Sequence, residues 1–301
     1  MKVKVLASGL LCSAVFVACV TNPMTGRSSL QFQNDSELAQ MALTQYRNTL
    51  SKSKVISNTN EAKQVKNVGQ RIKNAAESYY KAIGREKALS SYNWEFNLIE
   101  DKQVNAWCMP GGKVAFYTGI MPICKTETGV AVVMGHEVAH ALAGHGNERV
   151  SSAMLAQVGG TLVSGAIKNN AMASVFNQLY PIGAQVGLLA YGRRQELEAD
   201  EMGLYLMAIA GYDPREAQPF WHRMEAASSG ARQLHPILFF CNPNIFPHEE
   251  YMKRKEELMR HADRMGVPFV DADDDHAAWL LRIRGLEREP ERGAQCIFYF
   301  I

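Results

Sequence analysis

The apolar residues of two early segments recur at the spacing of a helix. A helix brings residues three and four positions apart onto one face, so this pattern predicts amphipathic helices. The first segment opens at Asp35-Ser36-Glu37 and ends near Leu50, and the second covers about residues 60–83. Their apolar faces are formed by Leu38, Met41, Ala42 and Tyr46 in the first and by Val65, Val68, Ile72 and Ala76 in the second.

The pattern changes between Trp94 and Ile120. The stretches NWEFNLIE and KVAFYTGI alternate apolar and polar residues, as half-buried strands do. Between them, MPGGK carries the Pro-Gly-Gly sequence of a turn. The sequence therefore predicts a small sheet in the middle of the chain.

Helical patterns return in the second half of the chain. Residues 129–143 form an apolar helical segment, and residues 150–190 predict one or two buried helices rich in small residues. Another helix is expected over residues 193–210, and a further one begins at Asp213-Pro214, a cap followed by a first-turn proline. The predicted fold class is α+β, mainly helical.

The first 18 residues have the layout of an export signal. Two lysines precede a short apolar run, which is too short for a comfortable membrane span. Cys19 follows a small residue at the end of this run, as in a bacterial lipobox. We expect a signal peptide at 1–18, a lipid on Cys19 and a polar membrane-proximal linker at 19–34. Secretion with an unmodified Cys19 is the alternative.

Composition narrows the classes of partner. The 301-residue chain is 47% hydrophobic and 21% charged, which is ordinary for a globular protein and enough for one large domain. The net charge is +2 with both signs interspersed, so no nucleic-acid partner is indicated. Four cysteines follow Cys19 without any C-x-x-C pair. We therefore expect no cysteine-ligated zinc, and the sequence leaves open whether these thiols form disulfides.

Residues 129–145, GVAVVMGHEVAHALAGH, place titratable groups in an apolar helix. His136 and His140 are four apart, so both imidazoles project from one face and can bind one zinc ion. Glu137 lies about 100° round the helix from His136, where it can act as general base on a water at the metal. This is the HExxH arrangement. The apolar neighbours argue against two surface histidines, because burying unpartnered imidazoles is costly.

A catalytic zinc site needs a third protein ligand. No histidine follows six residues after His140, and we interpret His145 as a residue at the helix C-terminus. The segment RRQELEADEMG offers carboxylates instead, with Glu196 and Asp200 on one face and Glu198 pointing elsewhere. Glu196 would be the ligand and Asp200 would hold the other ring nitrogen of a ligand histidine. A solvated charged face is the alternative.

The motif HEVAH followed by E-x-x-A-D resembles the Oma-type zinc metallopeptidases, which include BepA- and LoiP-like lipoproteins and are related to HtpX and the CAAX prenyl endopeptidases. The segments CVTNPMTGRSSL, VNAWCMPGGKVAFYTGIM and GYDPREAQPFW are also similar to this family, so the resemblance covers residues 19–225. It implies a zincin fold of the gluzincin type, with the small sheet beside the HExxH helix. The implied zinc ligands are His136, His140 and Glu196, with Glu137 as catalytic base and Asp200 as second active-site acid.

The resemblance weakens after residue 230. The family carries a His-Pro histidine near the zinc, with an arginine six residues later. His235-Pro236 has the dipeptide but is followed by Cys241 in place of the arginine, whereas His248 lacks the proline but has Arg254 six residues on. We expect His248 to be the catalytic histidine, with His235 as the alternative. The expected peptidase domain spans 35–265, followed by a C-terminal extension at 266–301.

These patterns and the resemblance together predict a zinc endopeptidase of the cell envelope, lipid-anchored at the outer membrane and facing the periplasm. Its expected partners are unfolded or misfolded proteins, the membrane through a lipid on Cys19, and an envelope assembly complex. The strand around Lys113–Gly119 would pair with an extended substrate. A chaperone or assembly lipoprotein with a gated or silent protease site is the alternative.

Overall fold

Helices dominate the computed structural model, which describes residues 19–161, 171–180 and 191–227. The helices are α1 (Asp35–Ser51), α2 (Asn60–Ala82), α3 (Met121–Cys124), α4 (Glu127–Leu142), α5 (His145–Thr161), α6 (Ala171–Leu179), α7 (Arg193–Ile209) and α8 (Ala217–Ala227). The strands are β1 (Cys19–Thr21), β2 (Ser28–Leu30), β3 (Val55–Ile56), β4 (Glu95–Ile99), β5 (Ala106–Met109) and β6 (Lys113–Tyr117). The prediction of a mainly helical α+β protein with a small sheet is confirmed.

The larger sheet has four strands in the order β3-β4-β6-β5. β6 is internal, parallel to β4 on one side and antiparallel to β5 on the other. The expectation that the strand around Lys113–Gly119 pairs with a substrate is therefore wrong, because both edges of β6 are already occupied. β3 and β5 are the two terminal strands, and no described strand pairs with the outer edge of β5.

The sheet separates two hydrophobic layers, since successive side chains of a strand point to opposite faces. Val114 and Phe116 of β6 lie in the layer formed with α2, α4 and α7. Ala115 and Tyr117 lie in the opposite layer, with α1, α5 and α6. The sheet thus supports α4, the HExxH helix, on one face and is covered by helices on the other.

Two glycines set the distance between α4 and α7. A Cβ added at Gly135 would lie 2.7 Å from the carbonyl oxygen of Gly203, and one added at Gly203 would lie 2.9 Å from the backbone nitrogen of His136. Contacts this short do not occur for real Cβ atoms, so only glycine allows the observed approach. The crossing lies next to His136 and brings the HExxH helix against the helix that carries Glu196.

Residues 19–34 are folded, which differs from the expected linker. β1 and β2 pair antiparallel, and the connection between them turns toward α7. There Asn22, Thr25 and Arg27 all donate hydrogen bonds to Glu198. Buried hydrogen bonds to a carboxylate are worth more than those at a solvated surface, so this polar segment gains order from its contacts.

Several expectations fall outside the described residues. These are the signal peptide at 1–18, the extension at 266–301, and both candidate histidines, His235 and His248. The thiols of Cys108 and Cys124 are free and buried. Among the described helices, none has the length and apolar character needed to cross a membrane.

Candidate active site

The three predicted metal ligands lie together. The Nε2 atoms of His136 and His140 are 3.0 Å apart. The Glu196 carboxylate places one oxygen 3.6 Å from Nε2 of His136 and the other 3.8 Å from Nε2 of His140. Two nitrogen ligands of one tetrahedral zinc ion, each bound at about 2.0–2.1 Å, stand about 3.3 Å apart. The spacing and the donor set of the cluster therefore fit a zinc ion, and its ligand atoms lie within 4.8 Å of one another.

Asp200 fixes the tautomer of His136. Its Oδ1 lies 2.8 Å from Nδ1 of His136, and both side chains are buried. An ionised carboxylate only accepts hydrogen bonds, so Nδ1 of His136 donates, and in the neutral imidazole that binds a metal Nε2 keeps the lone pair. That lone pair is on the nitrogen that faces His140 and Glu196, as a metal ligand requires.

Three carboxylates give the cluster a negative field. Burial lowers the pKa of His136, but the hydrogen bond to Asp200 and the charges of Asp200, Glu137 and Glu196 outweigh this and raise it to about 9. The same field that holds a proton on an imidazole favours a divalent cation at this point. The electrostatics of the site are therefore those of a cation site.

The side chain of Glu137, on α4, faces the edge strand β5. Burial raises its pKa to about 7, opposed by the charge of His136 and by a hydrogen bond from the backbone N–H of Cys108. The N–H of Tyr117 donates to the carbonyl of Asn105, so Trp107 and Ala115, two positions along, form the next hydrogen-bonded pair of the antiparallel ladder. The N–H of Cys108 therefore points away from β6, toward Glu137. The strand that orients Glu137 is thus also a terminal strand, whose outer edge no other described strand pairs with.

His145 is the first residue of α5 and not the last of α4, which corrects our interpretation of it. α4 ends at Leu142, and Gly144 follows with a φ of 68°. This left-handed conformation suits glycine and turns the chain into α5. His145 is fully buried, with Nδ1 2.8 Å from Nδ1 of His140 and Nε2 2.9 Å from Glu198.

Glu198 points away from Glu196, as its position two residues along the helix requires, but it is not solvated. Only 4% of the residue is exposed. Burial raises its pKa, but the hydrogen bond from His145 and the charge of Arg27 outweigh this and hold it below the usual value. Arg27 also donates to both carboxylate oxygens of Glu148, at 2.9 and 2.8 Å.

Two aromatic rings contact the ligand histidines. Tyr191 stacks on His140 with ring centroids 3.9 Å apart and an angle of 18°. Trp221 contacts His136 edge-on at 5.7 Å. Sequence reasoning missed both, because each comes from a different part of the chain and neither belongs to a spaced motif.

Most of the described chain matches a known peptidase family. The family model "Peptidase family M48" covers residues 62–244, more than half of the chain and all of the clustered ligands. The chain belongs to peptidase family M48. This region of the chain includes His235 but ends before His248.

Relatives that match the peptidase region include a mitochondrial metalloendopeptidase and a bacterial protease. Mitochondrial metalloendopeptidase OMA1 of Schizosaccharomyces pombe is 33% identical over 199 residues, which covers 66% of this M48 chain and 56% of the relative. A putative beta-barrel assembly-enhancing protease of Vibrio cholerae is 26% identical over 200 residues, which covers 64% of this chain and 40% of the relative. The chain therefore spans about half the length, or less, of these relatives.

The C-terminal segment matches a second family. The model "Epoxyqueuosine reductase QueH" covers residues 223–301, and the reductase of Histophilus somni is 51% identical over 63 residues. That match covers 26% of the reductase. It therefore shows similarity to one segment of the reductase and does not assign the reductase activity to this chain. The two family matches overlap at residues 223–244, whereas we expected a boundary at 265–266. His248 lies only within the second match.

Proposed function

We propose that this M48 protein is a zinc-dependent endopeptidase that hydrolyses peptide bonds of unfolded or misfolded envelope proteins. The observation that carries the proposal is the His136–His140–Glu196 cluster, with Glu137 beside it and directed by the edge strand β5. The names of the relatives support the reaction class, and the Vibrio relative's name supports a role in envelope assembly.

The catalytic roles follow from the placement of each side chain. A zinc ion at the cluster would polarise the scissile carbonyl and lower the pKa of the attacking water. Glu137, with a pKa near neutrality, takes the proton from that water and returns it to the leaving amine. Asp200 holds His136 in the tautomer that leaves Nε2 available.

The edge of β5 is the proposed place for the substrate backbone. An extended chain that pairs with a strand edge is recognised through backbone hydrogen bonds, with little dependence on its side chains. Such recognition requires the substrate to be locally unfolded. This supports unfolded or misfolded proteins as the substrate class, in place of one defined folded partner.

The first test of this proposal is digestion of casein, an unfolded substrate, by the full-length protein loaded with zinc. We expect cleavage that stops when a chelator removes the metal and returns when zinc is added back. A compactly folded protein of similar size, added as a second substrate, should remain intact. Measured zinc content of about one ion per chain should accompany activity.

The outcomes of this test separate the two candidate functions. Zinc binding without cleavage would favour the alternative, a chaperone or assembly lipoprotein with a gated site. The variants His235→Ala and His248→Ala would then show which histidine, if either, releases the activity. A protein that binds no zinc would contradict the proposal as a whole.

Membrane attachment through a lipid on Cys19 is a separate part of the proposal. The sequence around Cys19 supports it, because a small residue and a short apolar run precede the cysteine. We expect the wild-type protein to sediment with membranes and the Cys19→Ser variant to be released from them. Equal sedimentation of both proteins after a salt wash would exclude lipid on Cys19 as the anchor.

A further inference from the structure

We propose that His145 is a positioning residue for the metal ligand His140, and that Glu198 together with residues 22–27 holds His145 in place. The inference rests on the proposed function only in that a metal ion occupies the His136–His140–Glu196 cluster. Its test is metal binding, which does not depend on cleavage of a substrate.

The contact between His140 and His145 requires a defined direction. Their Nδ1 atoms are 2.8 Å apart, so one nitrogen must donate and the other must accept. His145 is fully buried and the residue His140 is 2% exposed, so water does not compete for this hydrogen bond. The hydrogen-bond partner of Nε2, on the other side of the His145 ring, determines which Nδ1 donates.

Glu198 decides that direction. Its Oε2 lies 2.9 Å from Nε2 of His145, and a carboxylate only accepts, so Nε2 of His145 donates. In neutral His145 the remaining Nδ1 is then an acceptor, and Nδ1 of His140 must donate to it. Nε2 of His140 keeps its lone pair and points toward Glu196. The chain of hydrogen bonds from His140 through His145 to Glu198, here called the relay, therefore sets His140 in the tautomer and orientation that a metal ligand needs.

The two ligand histidines are thus held in equivalent ways by different groups. Asp200 accepts directly from His136, whereas His140 is held by an imidazole that a carboxylate has oriented. An imidazole acceptor contributes no charge next to the metal, so the second arrangement holds the ligand without adding a fourth carboxylate to the site. His145 and Glu198 are therefore not alternative metal ligands.

The N-terminal segment completes the relay. Asn22 donates to Oε1 of Glu198 at 2.8 Å and Thr25 donates to the same oxygen at 2.5 Å, while Nε of Arg27 pairs with Oε2. The Arg27 guanidinium is held in turn by Glu148, which also accepts from Gln195 at 2.8 Å. Glu198 thus has a fixed rotamer because the hairpin that begins at Cys19 packs on it.

Two substitutions of His145 separate positioning from simple structural support. In His145→Gln, the amide can replace Nε2 and keep the hydrogen bond to Glu198, but the acceptor for His140 is lost. In His145→Asn, the amide oxygen can replace Nδ1 and keep the acceptor for His140, but the contact with Glu198 is lost. His222→Asn is the matched control, because His222 is exposed on α8.

The test measures zinc affinity by competition with a chromophoric chelator, the absorption spectrum of the cobalt-loaded protein, and the melting temperature of the metal-free protein. We expect His145→Gln to lose about 10- to 100-fold in zinc affinity, the usual effect of removing the partner of a ligand histidine. His145→Asn should bind zinc more tightly than His145→Gln even if it melts lower. His222→Asn should match the wild type in all three measurements.

The competing outcomes are distinct. Zinc affinity that follows the melting temperature across both variants, or that stays at the wild-type value in His145→Gln, would overturn the positioning role and leave the proposed function intact. Wild-type protein that binds zinc and cleaves nothing would contradict the proposed function, while an affinity difference between the Gln and Asn variants would still support the relay. Wild-type protein without zinc binding would overturn both.

Discussion

Replacing Glu137 with glutamine is expected to remove peptide hydrolysis while leaving the metal bound. Glutamine keeps the shape of the side chain and can still accept the hydrogen bond from the N–H of Cys108, but it cannot take a proton. General bases contribute about 10²- to 10⁴-fold to the rate, so kcat for casein or a quenched fluorescent peptide should fall by that factor. Zinc content should not change, because Glu137 is not part of the His136–His140–Glu196 cluster.

The matched control is Glu127→Gln. Glu127 is the first residue of the same helix, and its side chain is 46% exposed near Arg71. The Glu127→Gln variant should keep kcat and zinc content at wild-type values. A Glu137→Gln variant that binds zinc and cleaves at the wild-type rate would show that another group accepts the proton, and the assignment of Glu137 as base would be wrong.

The sequence was sufficient to predict the parts of the site that lie within single helices. His136 and His140 project together because the helix has 3.6 residues per turn, and the same geometry separates Glu196 from Glu198. Capping residues located the helix starts to within a few positions, as with Asp213, whose side chain accepts from the N–H of Arg215. Local rules of this kind need no knowledge of the rest of the fold.

Features that depend on distant contacts were not predictable in this way. β6 is internal because β4 pairs parallel to it, and sequence alternation alone does not give strand order. Glu198 was correctly expected to point away from the ligands, but its partner Arg27 lies 171 positions earlier in a segment that reads as a polar linker. His145 was misplaced because its environment depends on how Gly144 turns α4 into α5.

The glycine crossing of α4 and α7 gives the second large prediction. Gly203→Ala should destabilise the protein, although alanine in a helix is otherwise favoured over glycine by about 1 kcal/mol. The added Cβ would meet the backbone of Gly135 and His136 at 2.9–3.1 Å, and backbone atoms cannot move aside as a flexible side chain can. Overpacking of this kind costs about 1–3 kcal/mol. The melting temperature of the metal-free protein should fall by about 2–4 °C per kcal/mol.

Gly203→Ala should also weaken zinc binding, because the added methyl group would push α4 and α7 apart and these two helices carry different ligands. His136 lies at the crossing on α4 and Glu196 is two turns away on α7, so a shift of α7 moves the carboxylate relative to the imidazoles. Gly192→Ala is the control: its Cβ would meet only Gln195 Oε1 at 3.7 Å, an ordinary contact. It should change the melting temperature less and the zinc affinity not at all.

A Gly203→Ala variant that melts at or above the wild type would mean that α7 can shift at no cost in stability. Unchanged zinc affinity in such a variant would further show that Glu196 follows the imidazoles independently of the backbone. Loss of zinc affinity without loss of stability would instead show that Gly203 affects only the geometry of the metal site. In that case the close approach of the helices would serve metal binding and not packing.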